Sequence, residues 1–321
     1  MKKPHQCYQI EKDKCYISKS FNILAWRPPA KEARLKLPCS LAFILTACLI
    51  LPVAAPALAT PAEAALTFGV IRSRSAVLTA QHWNPILRYV SQRSGVPLRI
   101  KLAKSGPEHA AMIRRGELDF IYSNYQFAPD NDTVGYRVMV RPLTGTMRSQ
   151  IIVPANSPIH SLDALHGRDV VFTSQVAFAG YQVPMDALQR AAIAVRPQFA
   201  GTMESVLGQV LSGRAQAAAV SSEIAKEYAL RRNLAYRVLW SSEEYPDIPI
   251  AAHPAVPPEK VNAVRAALLK MADDPQGREI LAASAPLFGR PPPYGFAAAS
   301  DSEYNQMRRF YQQRLAPQDK P

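Results

Sequence analysis

From residue 66 onward, short apolar runs alternate with amphipathic stretches, and turn or capping residues separate them. Leu66-Thr67-Phe68-Gly69-Val70 predicts a strand opening into a loop over 71–75. Apolar positions at Ile86, Leu87, Tyr89 and Val90 predict a helix over 85–91, entered at Trp83 and Pro85 and stopped by Ser94-Gly95. Residues 98–102 alternate apolar and basic, the pattern of a half-buried strand. Ser105-Gly106-Pro107-Glu108 then combines a capping serine, a first-turn proline and a glutamate three residues on. That is a helix start, and the helix should run to about Arg115 and end at Gly116. Residues 118–122 predict a strand whose carboxyl end carries the loop Ser123-Asn124-Tyr125.

The second half repeats the alternation. Strands are predicted at 150–153, 169–172, 217–220 and 237–240. Helices are predicted over the short capped stretch 157–167, from about Gly180, from Gly201 to Leu211, and over 258–271. No internal repeat appears. Strands alternating with helices predict an α/β fold built on parallel sheet. In such folds ligands sit beyond the carboxyl ends of strands, against helix N-termini.

The first sixty residues read differently. Residues 37–59 are apolar, preceded by Lys31, Arg34 and Lys36 and closed by Ala57-Leu58-Ala59. A basic flank, an apolar centre and Ala-x-Ala predict a secretory signal peptide over 1–59, hence a periplasmic protein. Pro52 and Pro56 in the apolar half favour cleavage over a retained membrane anchor. Leu45-Thr46-Ala47-Cys48 also fits a lipid-attachment box, with Cys48 as the modified residue, although an apolar run rather than a polar tether follows it. Cleavage after Ala59 would leave 262 residues. N-terminal sequencing of the exported protein checks this. A lipidated Cys48 terminus or an intact chain in membranes is the contrary result.

Charge and cysteine follow the same division. The chain of 321 residues carries a formal net charge of +13. Nine Lys/Arg and three Asp/Glu fall within 1–59, leaving 29 against 22 beyond it, a net +7 without a basic run. Nucleic acid is therefore not an expected partner. All four cysteines, Cys7, Cys15, Cys39 and Cys48, precede residue 59. A chain cleaved there has no thiol for a disulfide, a metal or nucleophilic catalysis. The six histidines show no metal-ligand spacing, and His160 and His166 read as solvent-exposed. Nucleophile-elbow, Walker and dinucleotide fingerprints are absent, so no catalytic residue, metal or cofactor is expected.

One ordered set of motifs carries a resemblance. Gly69-Val70, Trp83-Asn84-Pro85, Gly116-Glu117-Leu118-Asp119-Phe120, the Ser-Pro-Ile-x-Ser-Leu-x-x-Leu-x-Gly run of 157–167, and Gly180-Tyr181 occur in that order over about 66–285. The pattern resembles the phosphate/phosphite/phosphonate-type substrate-binding proteins of ABC importers. The resemblance implies a two-lobed periplasmic-binding-protein fold of type 2. Its two crossover segments would lie near 149–153 and 240–250, with the ligand between the lobes. Lobe one would be 66–149 plus 246–321, and lobe two 150–245. It further implies a non-enzymatic monomer that presents a small, anionic solute to a membrane permease. Residues 119–124 and 178–182 are also similar to the periplasmic sensing regions of tetrathionate-type sensor kinases. A sensory subunit reporting to a histidine kinase is therefore the alternative.

The expected ligand-binding residues are Ser105, Tyr122, Ser123, Asn124 and Tyr125 on one side, and Phe178, Ala179, Gly180, Tyr181, Thr202, Met203 and Glu204 on the other. Ser105 and Thr202 double as helix caps, and Phe178 reads equally as core or as a stacking surface. Glu204 is either a cap partner or a ligand for an ammonium group. Arg72, Arg74 and Arg148 either supply positive charge or lie solvated on the surface, and Trp83 favours packing. Where phosphonate binders of the family present Ser-Thr-Ser, this chain has Ala177-Phe178-Ala179. Loss of those hydroxyls removes charge-assisted bonds worth roughly 1.5–3 kcal/mol each, so simple alkylphosphonates should bind weakly.

Overall fold

The computed structural model describes residues 64–315 apart from 144 and 291. The expected signal peptide and Cys48 lie outside the described residues. In chain order the elements are β1 (Leu66–Val70), α1 (Ala76–Ser94), β2 (Leu98–Lys101), α2 (Gly106–Arg114), β3 (Phe120–Tyr122), α3 (Pro129–Asp132) and β4 (Arg137–Pro142). There follow β5 (Thr146–Pro154), β6 (Asp169–Phe172), α4 (Val183–Arg190), β7 (Arg196–Phe199), α5 (Met203–Leu211), β8 (Ala217–Ser221), α6 (Ser222–Arg232) and β9 (Tyr236–Pro246). The chain closes with β10 (Ile250–Ala252), α7 (Pro258–Leu269), α8 (Pro275–Ser284), β11 (Phe296–Ala298) and α9 (Asn305–Gln313).

These elements build two sheets. One has the order β11-β4-β10-β3-β1-β2 and the other β7-β6-β8-β5-β9. The parallel expectation holds only for the three strands at one end of each sheet. β1 runs parallel to β2 and β3, and β6 parallel to β7 and β8. β10 and β5 enter antiparallel because they arrive directly from the other sheet, without a crossover helix on their own. The chain leaves the first sheet after Pro142, is paired in the second from Thr146, and returns between Pro246 and Ile250. The first crossing thus precedes the expected one by several residues.

Each sheet carries its own apolar core. Phe68, Ile86, Val90, Ile113 and Ile121 fill the first, and Ile151, Val170, Phe172 and Leu188 lie on one face of the second. Trp83 is fully buried against Phe68 and Tyr122, a packing residue. His160 and His166 are exposed.

Local sequence explains most elements. Ser105 caps α2 by accepting from the Glu108 amide at 3.2 Å, and Thr202 caps α5 by accepting from Ser205 at 3.1 Å. Helix α1 starts nine residues before Pro85, capped by Ser75, so that proline lies inside the helix. The 157–167 stretch holds only a short helical turn at Asp163–Leu165. Helix α9 begins on the first lobe, where Tyr304 donates to the Asp247 carbonyl at 2.8 Å and stacks on Phe127. It ends on the second lobe, where the Leu315 amide donates to Asp186 at 2.8 Å. The C-terminal segment therefore bridges both lobes rather than staying with the first.

Candidate functional site

A cavity of about 70 Å³ lies between the lobes. It holds a handful of water-sized groups, which suits a small solute. The loop after β1 brings Ile71, Arg72 and Ser73 to it, the loop after β3 brings Asn124 and Tyr125, and the second crossing brings Asp247 and Ile248. From the second lobe come Thr173 beyond β6, the turn 177–180, Gly201 and Met203 at the start of α5, and Ser221 and Glu223 at the start of α6. Strand carboxyl ends and helix starts thus converge on one point. The first amides of a helix lack intrahelical acceptors, so this wall offers donors and positive potential.

Of the twelve residues expected at the site, six line this cavity: Asn124, Tyr125, Phe178, Ala179, Gly180 and Met203. The other six lie elsewhere. Ser105 and Thr202 face their own helix amides as caps. Ser123 is buried and accepts from the Tyr125 amide at 3.1 Å. Tyr122 sits one layer below, where its hydroxyl accepts from Arg290 at 2.8 Å. Burial pushes that hydroxyl's pKa up to about 12. Tyr181 points the other way, edge-on to Phe172 at 5.1 Å. Glu204 pairs with Arg231 at 3.0 Å on the outer face of α5. Tyr181→Ala should therefore lower thermal stability and leave ligand affinity within threefold, which a melting curve and a titration check together.

Among the three candidate arginines the structure separates roles. Arg72 lines the cavity, donates through Nη1 to the Lys104 carbonyl, and has no carboxylate partner among the described residues. Arg74 is buried and pairs with Glu227 of α6 at 2.6 Å, a contact from one lobe to the other. Arg148 pairs with Glu244 at 3.0 Å on the surface. Arg290, Asp247 and Thr173 were not expected at the cavity. Arg290 and Asp247 form an ion pair there, so their charges cancel. Thr173 directly follows β6 and Glu223 lies two residues past β8, so both were legible by the rule that ligands sit beyond strand ends. Arg290 follows Phe288-Gly289 with no motif around it.

Three buried polar atoms at the cavity lack hydrogen-bond partners among the described residues: Arg72 Nε, Asn124 Oδ1 and Thr173 Oγ1. Buried polar atoms are nearly always satisfied in a working protein, so a bound solute is their natural complement. Apolar groups complete the wall: Ile71, Met147, Phe178, Met203 and Ile248. Phe178 is only 1% exposed and meets Tyr245, Phe310 and Tyr311 within 5.7 Å. It anchors the α9 bridge and only one side reaches the cavity. Phe178→Ala should lower the stability of the ligand-free protein by about 3 kcal/mol, toward the low end for this truncation because the new void opens onto an existing one. A melting point unchanged from wild type would contradict this.

The sequence profile of the ABC-transporter phosphonate periplasmic substrate-binding proteins matches residues 68–304. This chain belongs to that family. It is therefore a non-enzymatic substrate-binding component of an ABC transporter, with the type 2 periplasmic binding fold. Among solved structures it is similar to a binding protein of an ABC phosphonate transporter from Pseudomonas aeruginosa, at 18% identity and a TM-score of 0.65, over 77% of this chain and 85% of that one. It is also similar to the Prochlorococcus marinus protein PhnD1 in complex with methylphosphonate, at 16% identity and a TM-score of 0.65, over 78% and 97% of the two chains. A Xanthomonas citri protein bound to chloride is similar at 20% identity and a TM-score of 0.62, over 77% and 96%. At these identities the likeness speaks for the fold. No protein of curated function matches the sequence. Among the described residues no helix is long and apolar enough to cross a membrane, and no three metal-ligating side chains cluster.

Proposed function

We propose that this family member captures a small organic anion in the cavity between its lobes and delivers it, as a monomer, to an ABC permease. The lobes would be the segments on either side of the crossings at 142–146 and 246–250. The observation that carries the reading is Arg72, a cation without a carboxylate partner among the described residues, beside an unpartnered Thr173 hydroxyl and the first amides of helical turns. A cavity that offers a guanidinium, orphan donors and helix-start amides favours a negative solute. The apolar wall favours one with a carbon substituent over a bare inorganic ion. The family match is to importer components, so the sensory reading has no separate support.

Native mass spectrometry of protein purified from its host, followed by calorimetry with the mass-identified solute, tests this. An anion of a few heavy atoms is expected. A carried cation or a neutral sugar would overturn the reading. Small-angle scattering should show a smaller radius of gyration at saturation than without solute, because only the joined lobes offer both sets of contacts.

A further inference from the structure

The charges around the cavity define its ligand more narrowly than the word anion. Four charged side chains line it: Arg72 from the loop after β1, Asp247 from the second crossing, Arg290 from the segment after α8, and Glu223 from the first turn of α6. Arg290 and Asp247 neutralise each other, and just outside the cavity Arg74 and Glu227 do the same. Among the described residues the unpaired remainder is one cation, Arg72, and one exposed carboxylate, Glu223, which also lines the cavity. Glu223 also offsets the positive potential of the α6 N-terminus it sits on. A second negative charge on the solute therefore has no counterpart and meets Glu223.

The donors are correspondingly few. With Ala177-Phe178-Ala179 in the turn, Thr173 Oγ1 is the orphan hydroxyl at the carboxyl end of β6. Its place depends on Gly180, since a Cβ there would collide with Thr173 Oγ1. Thr173 Oγ1 and Arg72 Nε are thus two buried donors without partners among the described residues, both at the cavity. Asn124 Oδ1 is an acceptor without a partner, and a fully ionised oxyanion has no hydrogen to give it.

Resting on the anion reading above, we infer that the cavity selects a singly charged tetrahedral oxyanion with an apolar substituent, with Arg72 and Thr173 as its anchoring donors. Two sources share that chemistry. A sulfonate is singly charged at every pH, and a phosphonate is singly charged while it keeps one proton. The protonated phosphonate alone could satisfy Asn124 Oδ1.

Calorimetry with methanesulfonate, methylphosphonate and 2-aminoethylphosphonate at pH 6 and pH 9 tests this on the purified protein. Methanesulfonate should bind equally at both pH values. Methylphosphonate, whose second proton leaves near neutral pH, should weaken at least tenfold between them. Glu223→Gln should shrink that drop at least threefold, and Thr173→Val, which keeps the side chain's shape, should weaken methanesulfonate about tenfold. Tighter methanesulfonate than methylphosphonate at pH 6 marks a sulfonate site, and the reverse order a protonated-phosphonate site. Methylphosphonate binding tighter at pH 9 than at pH 6 overturns the inference. So does 2-aminoethylphosphonate binding more tightly than both, which would make Glu223 an ammonium partner. Anions that bind without regard to charge sink this inference and leave the anion reading intact, whereas no binding by any of the three sinks both.

Discussion

Lowering the pH from 7 to 5 should destabilise the folded protein by about 4 kcal/mol, through two histidines. His82 and His109 are both fully buried. Desolvation pulls each imidazole's pKa down from 6.5 to about 4. His82 keeps hydrogen bonds to the Ser284 carbonyl at 2.8 Å and the Tyr294 hydroxyl at 3.2 Å, while both His109 nitrogens lack partners among the described residues. The folded pKa lies below the unfolded value, so between these limits the unfolded chain binds protons that the fold refuses. Stability is therefore complete above about pH 6.5 and declines as the pH falls toward 4, by about 1.4 kcal/mol per pH unit for each histidine. Urea unfolding at pH 7, 6 and 5 reads the slope. His109→Leu removes one titrating group and no hydrogen bond, so it should remove about half of the slope. An unchanged slope in that variant would show that His109 does not contribute.

Glu227→Ala should reduce affinity for the best-binding anion at least a hundredfold while leaving the melting point of the ligand-free protein nearly unchanged. Arg74 is 1% exposed and pairs with Glu227 across the lobes. Glu227 also takes Arg231 at 2.9 Å, and Arg231 reaches Glu204 at 3.0 Å, so the pair ends a ladder of charges running into α5. Gly289 makes room for it, since a methyl there would land 2.5 Å from Glu227 Cβ. Removing one partner of a buried pair leaves an uncompensated charge, at about 3–5 kcal/mol. The proposed closure places this penalty on the joined lobes, since lobes drawn apart would return Arg74 to water. Since 1.4 kcal/mol is tenfold in affinity, the loss should exceed a hundredfold. Arg74→Met combined with Glu227→Ala should recover at least tenfold, because two matched apolar groups leave no orphan charge. Wild-type affinity in the single variant would show that the pair does not hold the lobes together.

Short-range signals in the chain were enough for the fold class and for six of the residues that line the cavity. Capping serines and threonines with a negative residue nearby located the starts of α2 and α5 to within two residues, because those bonds close within one turn. Glycines and alternation located β1, β2 and β6, since each strand's period and its stop lie within a few residues. The family motifs gave the lobed architecture. Helix α6 escaped notice because its face is weakly amphipathic, with charged residues at both ends.

What the chain could not show on its own is which side of an element each residue faces once two sheets are stacked. Phe178 and Tyr181 are three residues apart in one turn, yet one borders the cavity and the other packs behind it on Phe172. Arg72 and Arg74 are two apart, yet one meets the solute space and the other crosses to Glu227. Arg290 meets at the cavity Asp247, 43 residues away in sequence, whose carbonyl in turn accepts from Tyr304. Sequence by itself determined the elements and the family, since hydrogen bonds within a turn and apolar periodicity are local. Only the tertiary structure decided which charges pair and which residues meet at the cavity. Coulomb energies depend on distances and burial that arise when chain segments far apart are packed together.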